Sequence, residues 1–168
     1  MTDWERIVHR HGGAVWQTAY RLLGNYEEAA DCWQETFLGA LELSRRQEVR
    51  HWRAVLTRIC TRRAVDQLRR RLRSVSQHTG LADTATIASP NPGPVEAAQA
   101  AELSTRLRLA LASLPAQQAE AFCLRCLSGL SYQDIARELG IKTSAVGVLL
   151  HRARSRLRDL LSVCRDDG

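Results

Sequence analysis

The sequence has no apolar run approaching the roughly 20 residues needed to cross a bilayer, and its opening stretch, MTDWERIVHR, is too polar for a secretory leader. A chain short of both is expected in the cytoplasm, with no membrane insertion. Lysine is nearly missing too: of 24 basic residues only Lys142 is not an arginine. Almost every cation is therefore a planar, multi-donor guanidinium suited to phosphate oxygens and guanine edges, although a GC-rich coding sequence gives the same bias. Proline is absent from Trp4 to Arg73, which leaves that stretch free to be helical. No disulfide framework is apparent, because Cys32, Cys60, Cys123, Cys126 and Cys164 are odd in number and scattered, so reduced thiols are expected. Cys123 and Cys126 share a helix face and could clip zinc or form a redox switch. No second cysteine pair or nearby histidine completes such a site, and two small buried hydrophobes is the preferred reading. His9 and His11 diverge on a helix and make weak ligands. No metal or cofactor is implied.

What is present is positive charge in a chain of 168 residues, with a formal net charge of +6 and a pI near 9.5. Clustered cations gain affinity by displacing counterions from phosphates, so nucleic acid is the first candidate partner. Apolar residues at helical spacing, as in Val15, Ala19, Leu22 and Leu23, predict a helix that Gly24-Asn25 interrupts. A second helix is expected from Tyr26 to about Leu43, and a third from near Trp52. From Ser76 to Val95 the chain reads SQHTGLADTATIASPNPGPV, with three of the four prolines and no Lys or Arg, a composition that reads as a linker. A helix over about Glu96 to Ala112 follows, and Pro115 suits the first turn of the next. The expected fold is all-α: two small helical domains, 1–75 and 96–168, joined by a flexible linker at 76–95.

The last third carries the most specific local signal. Ser131 is spaced to cap a helix, with Asp134 in its first turn and Tyr132, Ile135, Ala136 and Leu139 on one face. Gly140 is placed as a left-handed stop, and Thr143 or Ser144 as the cap of the next helix. Helix, short glycine turn and second helix is the helix-turn-helix layout. On the second helix, Val146, Leu150, Ala153, Leu157, Leu160 and Leu161 fall on one side and face partners. Ser144, Gly147, Val148, His151, Arg152 and Ser155 fall on the other, where a major groove would meet them, with Arg152, Arg154, Arg156 and Arg158 adding charge. An arginine-rich solvated helix end is the bland alternative.

Two further features flank the first module. Between Arg62 and Arg73 six arginines face a single acid, Asp66, with Ala64, Val65, Leu68 and Leu72 on the opposite, apolar side. Such a stripe would track a phosphate backbone, and Trp33 and Trp52 would either stack on unpaired bases or fill the core. Upstream, Glu27, Glu28, Asp31 and Glu35 make an acidic helix that DNA would repel and a protein partner would not. Paired carboxylates can also bind magnesium or catalyse, but no nucleophile or phosphate-cradling glycines lie nearby, so the chain is expected to perform no chemistry of its own.

In this order the pieces resemble the extracytoplasmic-function group of bacterial RNA polymerase sigma factors, over nearly the whole chain. EEAADCWQETFLGAL is similar to the region-two segment that docks on the largest polymerase subunit, which implicates Asp31, Gln34 and Glu35. WRAVLTRICTRRAVDQLRRR is similar to the segment that melts and reads the minus-ten promoter element, which implicates Trp52, Arg62, Arg63, Asp66, Arg69 and Arg70. LPAQQAEAFCLRCLSGLSYQDIARELGIKTSAVGVLLHRARSRLRDLL resembles region four, which reads the minus-thirty-five element and touches the second-largest subunit. There the resemblance implicates Lys142, Thr143, Ser144, Val148, His151, Arg152 and Arg154. It further implies a linker threading toward the polymerase active centre and an anti-sigma factor as inhibitory partner. Val55 stands where the family usually has an aromatic, Arg62 where it often has asparagine, and Gly147 and Leu149 where many members have cations. The alternatives are a dimeric helix-turn-helix regulator that needs no polymerase, and a nucleic-acid enzyme, which metal-dependent turnover would reveal.

Overall fold

The computed structural model of the protein describes residues 2–77 and 95–166. Most of the expected linker, 78–94, lies outside them. The described residues form seven α-helices and no strand, and no helix among them is long and apolar enough to cross a membrane.

Local chemistry sets the helix ends. The Asp3 carboxylate accepts the Arg6 amide at 3.1 Å to start α1 (Trp4–Leu23), and Gly24 ends it at φ +66°. A side chain at position 24 would be strained, and its Cβ would lie 2.6 Å from the Arg108 guanidinium carbon. Asn25 caps α2 (Tyr26–Arg46) by accepting the Glu28 amide at 3.1 Å. Helix α3 (Trp52–Gln77) takes in Ser76 and Gln77, and α4 (Val95–Ser113) already includes Val95, so both ends of the stretch expected as linker at 76–95 are helical. Pro115 precedes α5 (Ala116–Cys126). Ser131 caps α6 (Tyr132–Leu139) by accepting the Asp134 amide at 3.1 Å, and Gly140 stops it at φ +66°. Helix α7 runs Thr143–Asp166. Its first turn is closed by the Lys142 carbonyl accepting from Ala145 and Val146, so Thr143 is already inside the helix rather than capping it.

Helices α1, α2 and α3 bury Val15, Ala19, Leu22, Leu23, Cys32, Leu56, Cys60, Val65 and Leu68 between them. The same apolar cluster continues into Ala110 and Leu111 of α4, Leu114, Cys123 of α5 and Leu157 of α7. A second cluster gathers Leu124, Ile135, Val146 and Leu150 of the C-terminal helices, with Leu130 of the α5–α6 turn, around Ala54 of α3. Helix α3 is thus a shared wall: one side closes the N-terminal bundle, and the other receives the C-terminal helices.

The four cysteines with described side chains are free. The Cys60 thiol donates toward the Val15 carbonyl at 3.6 Å, and its hydrogen bond with Cys32 together with burial pushes its pKa up. Burial pushes Cys123 up to about 12, which makes it an inert core thiol. Cys126 corrects the expectation of two buried cysteines, because it is exposed on the last turn of α5.

Candidate nucleic-acid interface

The helix-turn-helix is held by its apolar side. Val146, Leu150, Ala153 and Leu157 of α7 are buried, whereas Leu160, expected with them, is 40% exposed because it lies toward the end of the helix. Pointing away from the core are Lys142, Thr143, Ser144, Val148, His151, Arg152 and Arg154, all exposed. Six of these seven are polar or basic, and Val148 is the one apolar residue among them. Gly147 is half-buried, and a Cβ there would meet the Tyr132 ring edge at 3.9 Å, so α6 flanks this position.

Tyr132 sits in a small assembly that the sequence pattern did not single out. The Arg125 guanidinium lies 5.3 Å from the Tyr132 ring centroid and donates to the Leu130 carbonyl at 2.9 Å. It ties α5 to the start of α6 beside the recognition helix. At the same helix start, the Ser131 hydroxyl, followed by the nearby Arg137 and His51 charges, holds the Asp134 carboxyl below its ordinary range. The ionised Asp134 also accepts from Arg137 at 3.1 Å.

On α3, Ala64, Val65 and Leu68 are buried and Leu72 is half-buried, which leaves the arginines outward. Arg70 and Asp66 are exposed. Three of the arginines are engaged with these partners: Arg63 with Glu35 at 3.0 Å, Arg62 with Glu120 of α5 at 2.9 Å, and Arg69 with the Leu114 carbonyl. Glu120 was not anticipated. The signal available was an acid inside the apolar run Ala119 to Leu124.

The tryptophans divide. Trp33 donates to the Gly12 carbonyl at 3.0 Å and tilts against Phe37 with ring centres 4.6 Å apart, so it belongs to the core rather than to a base-stacking surface. Trp52 is half-buried, edge-on to Trp4 at 5.1 Å. It lines an open cleft with Arg6, Arg10, His11 and the α2–α3 loop. Burial first, then Arg10 and Arg53, lower the His11 pKa.

Asp31, Gln34 and Glu35 are exposed on α2. Asp31 and Glu35 share a cleft with Gln67, Arg70 and Arg71 of α3. Glu28 pairs with Arg71. The carboxylates thus stand beside arginines, yet Asp31 and Gln34 still project from the helix.

Comparison with known proteins gives this geometry a family. Residues 7–74 match sigma-70 region 2, and residues 104–157 match sigma-70 region 4. The chain is 33% identical over 162 residues to the ECF RNA polymerase sigma factor SigE of Mycolicibacterium smegmatis, over 96% of this chain and 63% of that protein. It is 31% identical over 158 residues to the RNA polymerase sigma factor CarQ of Myxococcus xanthus, over 94% of this chain and 88% of CarQ. The chain therefore spans slightly under two thirds of the length of SigE and most of that of CarQ. A solved structure of the sigma factor RpoE in complex with the anti-sigma factor NepR, from Bartonella quintana, superposes with a TM-score of 0.58 at 26% identity, covering 97% of this chain and 99% of that one. Two matched regions in the same order, and relatives that share both, establish that the chain belongs to the sigma-70 family of RNA polymerase sigma factors, in the extracytoplasmic-function group.

Proposed function

We propose that the protein acts in the cytoplasm as a dissociable promoter-specificity subunit, which binds core RNA polymerase, recognises two promoter elements and leaves catalysis to the polymerase. The observation that carries this reading is the exposed face of α7, whose polar and basic side chains stand on a helix fixed from behind by four buried apolar residues. In this reading Lys142, Thr143, Ser144, Val148, His151, Arg152 and Arg154 meet the minus-thirty-five element. Trp52, Arg62, Arg63, Asp66, Arg69 and Arg70 meet the minus-ten element. Asp31, Gln34 and Glu35 dock on the largest polymerase subunit, the C-terminal unit touches the second-largest, and an anti-sigma factor is the inhibitory partner. A dimeric regulator would have no need of the region 2 match over 7–74.

The test is promoter-specific runoff transcription from purified protein and core polymerase, with the initiated transcripts sequenced. Core that initiates no differently with the protein than without it sinks the proposal.

Within α7, Arg152 is assigned to a base edge and Val148 to a thymine methyl. Arg152→Ala is expected to weaken promoter binding by about 1–3 kcal/mol and to relax preference at one position. A promoter-library selection checks this. Uniform weakening across all sequences would instead make Arg152 a phosphate clamp.

A further inference from the structure

The outward surface of α7 has a gap in its side chains, because Gly147 contributes none. At 100° per residue Gly147 lies within about 60° of Ser144 and His151, so it belongs to the margin of that surface. The neighbouring helix fills the margin instead. A Cβ at position 147 would lie 3.9 Å from Cε2 of Tyr132 on α6. Cε2 is bonded to the ring carbon that carries the hydroxyl, so the polar end of Tyr132 is the end that borders Gly147.

Tyr132 begins the apolar side of α6, yet it is 36% exposed while Ile135, one turn on, is fully buried. A tyrosine that served packing alone would bury more of its large ring. Here the ring is held from outside. The exposed Arg125 guanidinium stands 5.3 Å from its centroid, and Arg125 is itself fixed to the Leu130 carbonyl at 2.9 Å. Asp134, the carboxylate of the same helix turn, pairs with Arg137 at 3.1 Å, which offsets its repulsion of a polyanion.

We propose that Tyr132 reads the promoter from outside the recognition helix: its hydroxyl hydrogen-bonds a base edge of the minus-thirty-five element at the margin that Gly147 leaves open, and Arg125 is the residue that positions its ring. The inference rests on the assignment of α7 to that element above. A phenol both donates and accepts, so it can pair with a purine N7 or a thymine O4 in the major groove. Tyr132 thereby makes, from α6, the contact that a side chain at position 147 would otherwise make.

Promoter-library selection with the protein and core polymerase tests this, with thermal unfolding measured beside it. Tyr132→Phe removes one oxygen and keeps the ring. It should lower preference at one position of the minus-thirty-five element about fivefold, with an unchanged thermal midpoint. Gly147→Met covers the margin with a side chain that offers no strong hydrogen-bonding group. It should lower preference at the same position while the midpoint holds or rises, since glycine inside a helix is unfavourable. Tyr132→Phe added to Gly147→Met should then change nothing more, because the contact is already lost. Arg125→Met should lower preference at that position by a smaller factor, the ring being less firmly placed. Wild-type preference at every position in Tyr132→Phe overturns the inference, and so does an even loss across all sequences, which would put the hydroxyl on a phosphate. Losses at two different positions for Tyr132→Phe and Gly147→Met would separate the two residues and overturn it as well. A wild type that selects no minus-thirty-five element at all sinks the promoter reading itself, and this inference falls with it.

Discussion

Leu150→Ala is expected to destabilise the C-terminal unit by about 2–5 kcal/mol and to abolish transcription that depends on the minus-thirty-five element. Leu150 is 0% exposed. It sits in a compact cluster with Ala121, Leu124, Leu130, Ile135, Ala136 and Val146, closed on one side by Ala54. Two of those neighbours, Ala121 and Ala136, and Ala54 itself are alanines with no length to spare. The space left by truncation therefore persists as a cavity between α5, α6 and α7 rather than being filled. Because this cluster packs α6 against α7, the loss reaches the outward face of α7 without touching any residue on it. The control is Val148→Ala, at a position 48% exposed. It should change stability by no more than about 0.5 kcal/mol while shifting promoter preference. Denaturant midpoints and a promoter library separate the two effects. A wild-type midpoint for Leu150→Ala would mean that something other than this cluster fixes the recognition helix.

Which parts of this architecture a single sequence discloses follows from the range of the interactions involved. Helix ends are local, so Gly24-Asn25, Pro115, Ser131 and Gly140 could be placed from neighbours three or four residues away, and the structure puts a helix boundary at each. The buried side of α7 followed from its periodicity as far as Leu157, and failed at Leu160, because periodicity continues along a helix after the partners it packs against have run out. Compositional bias could not set the ends of the expected linker: Ser76, Gln77 and Val95 have linker-like neighbours and are nevertheless helical.

The arginine stripe shows a different limit. Periodicity states which residues share a face of α3, but it carries no information about what covers that face. Glu120 is 58 residues from the Arg62 it pairs with, and Glu138 is 80 from the Arg58 that donates to it. Nothing in the local pattern connects them. The same holds for Arg125 beneath Tyr132, and for Trp33, whose place in the core depends on the close passage of the Gly12 backbone.

Asp31→Arg combined with Glu35→Arg should lower affinity for core polymerase about a hundredfold, while the unfolding midpoint stays close to wild type. In a chain with a net charge of +6, the α2 face that carries these acids is the place where a basic protein surface could dock without repulsion. Reversal brings like charges together across that contact, which costs several kcal/mol, and about 1.4 kcal/mol already corresponds to a tenfold change. The stability side follows from exposure. Asp31 is exposed, and the Glu35–Arg63 pair at 3.0 Å leaves both side chains at least 40% accessible. Pairs of that kind contribute about 1 kcal/mol or less. Glu28 keeps its pairing with Arg71 at the other end of the cleft, so the α2–α3 packing retains an ionic tie after the substitutions. The neutral variant Asp31→Asn with Glu35→Gln distinguishes lost attraction from added repulsion and should fall between wild type and the reversal. Competition with labelled wild-type protein for core polymerase gives the affinities, and thermal unfolding gives the stability. A charge-reversed protein that competes as well as wild type would remove α2 from the polymerase interface and move the docking surface elsewhere on the N-terminal bundle.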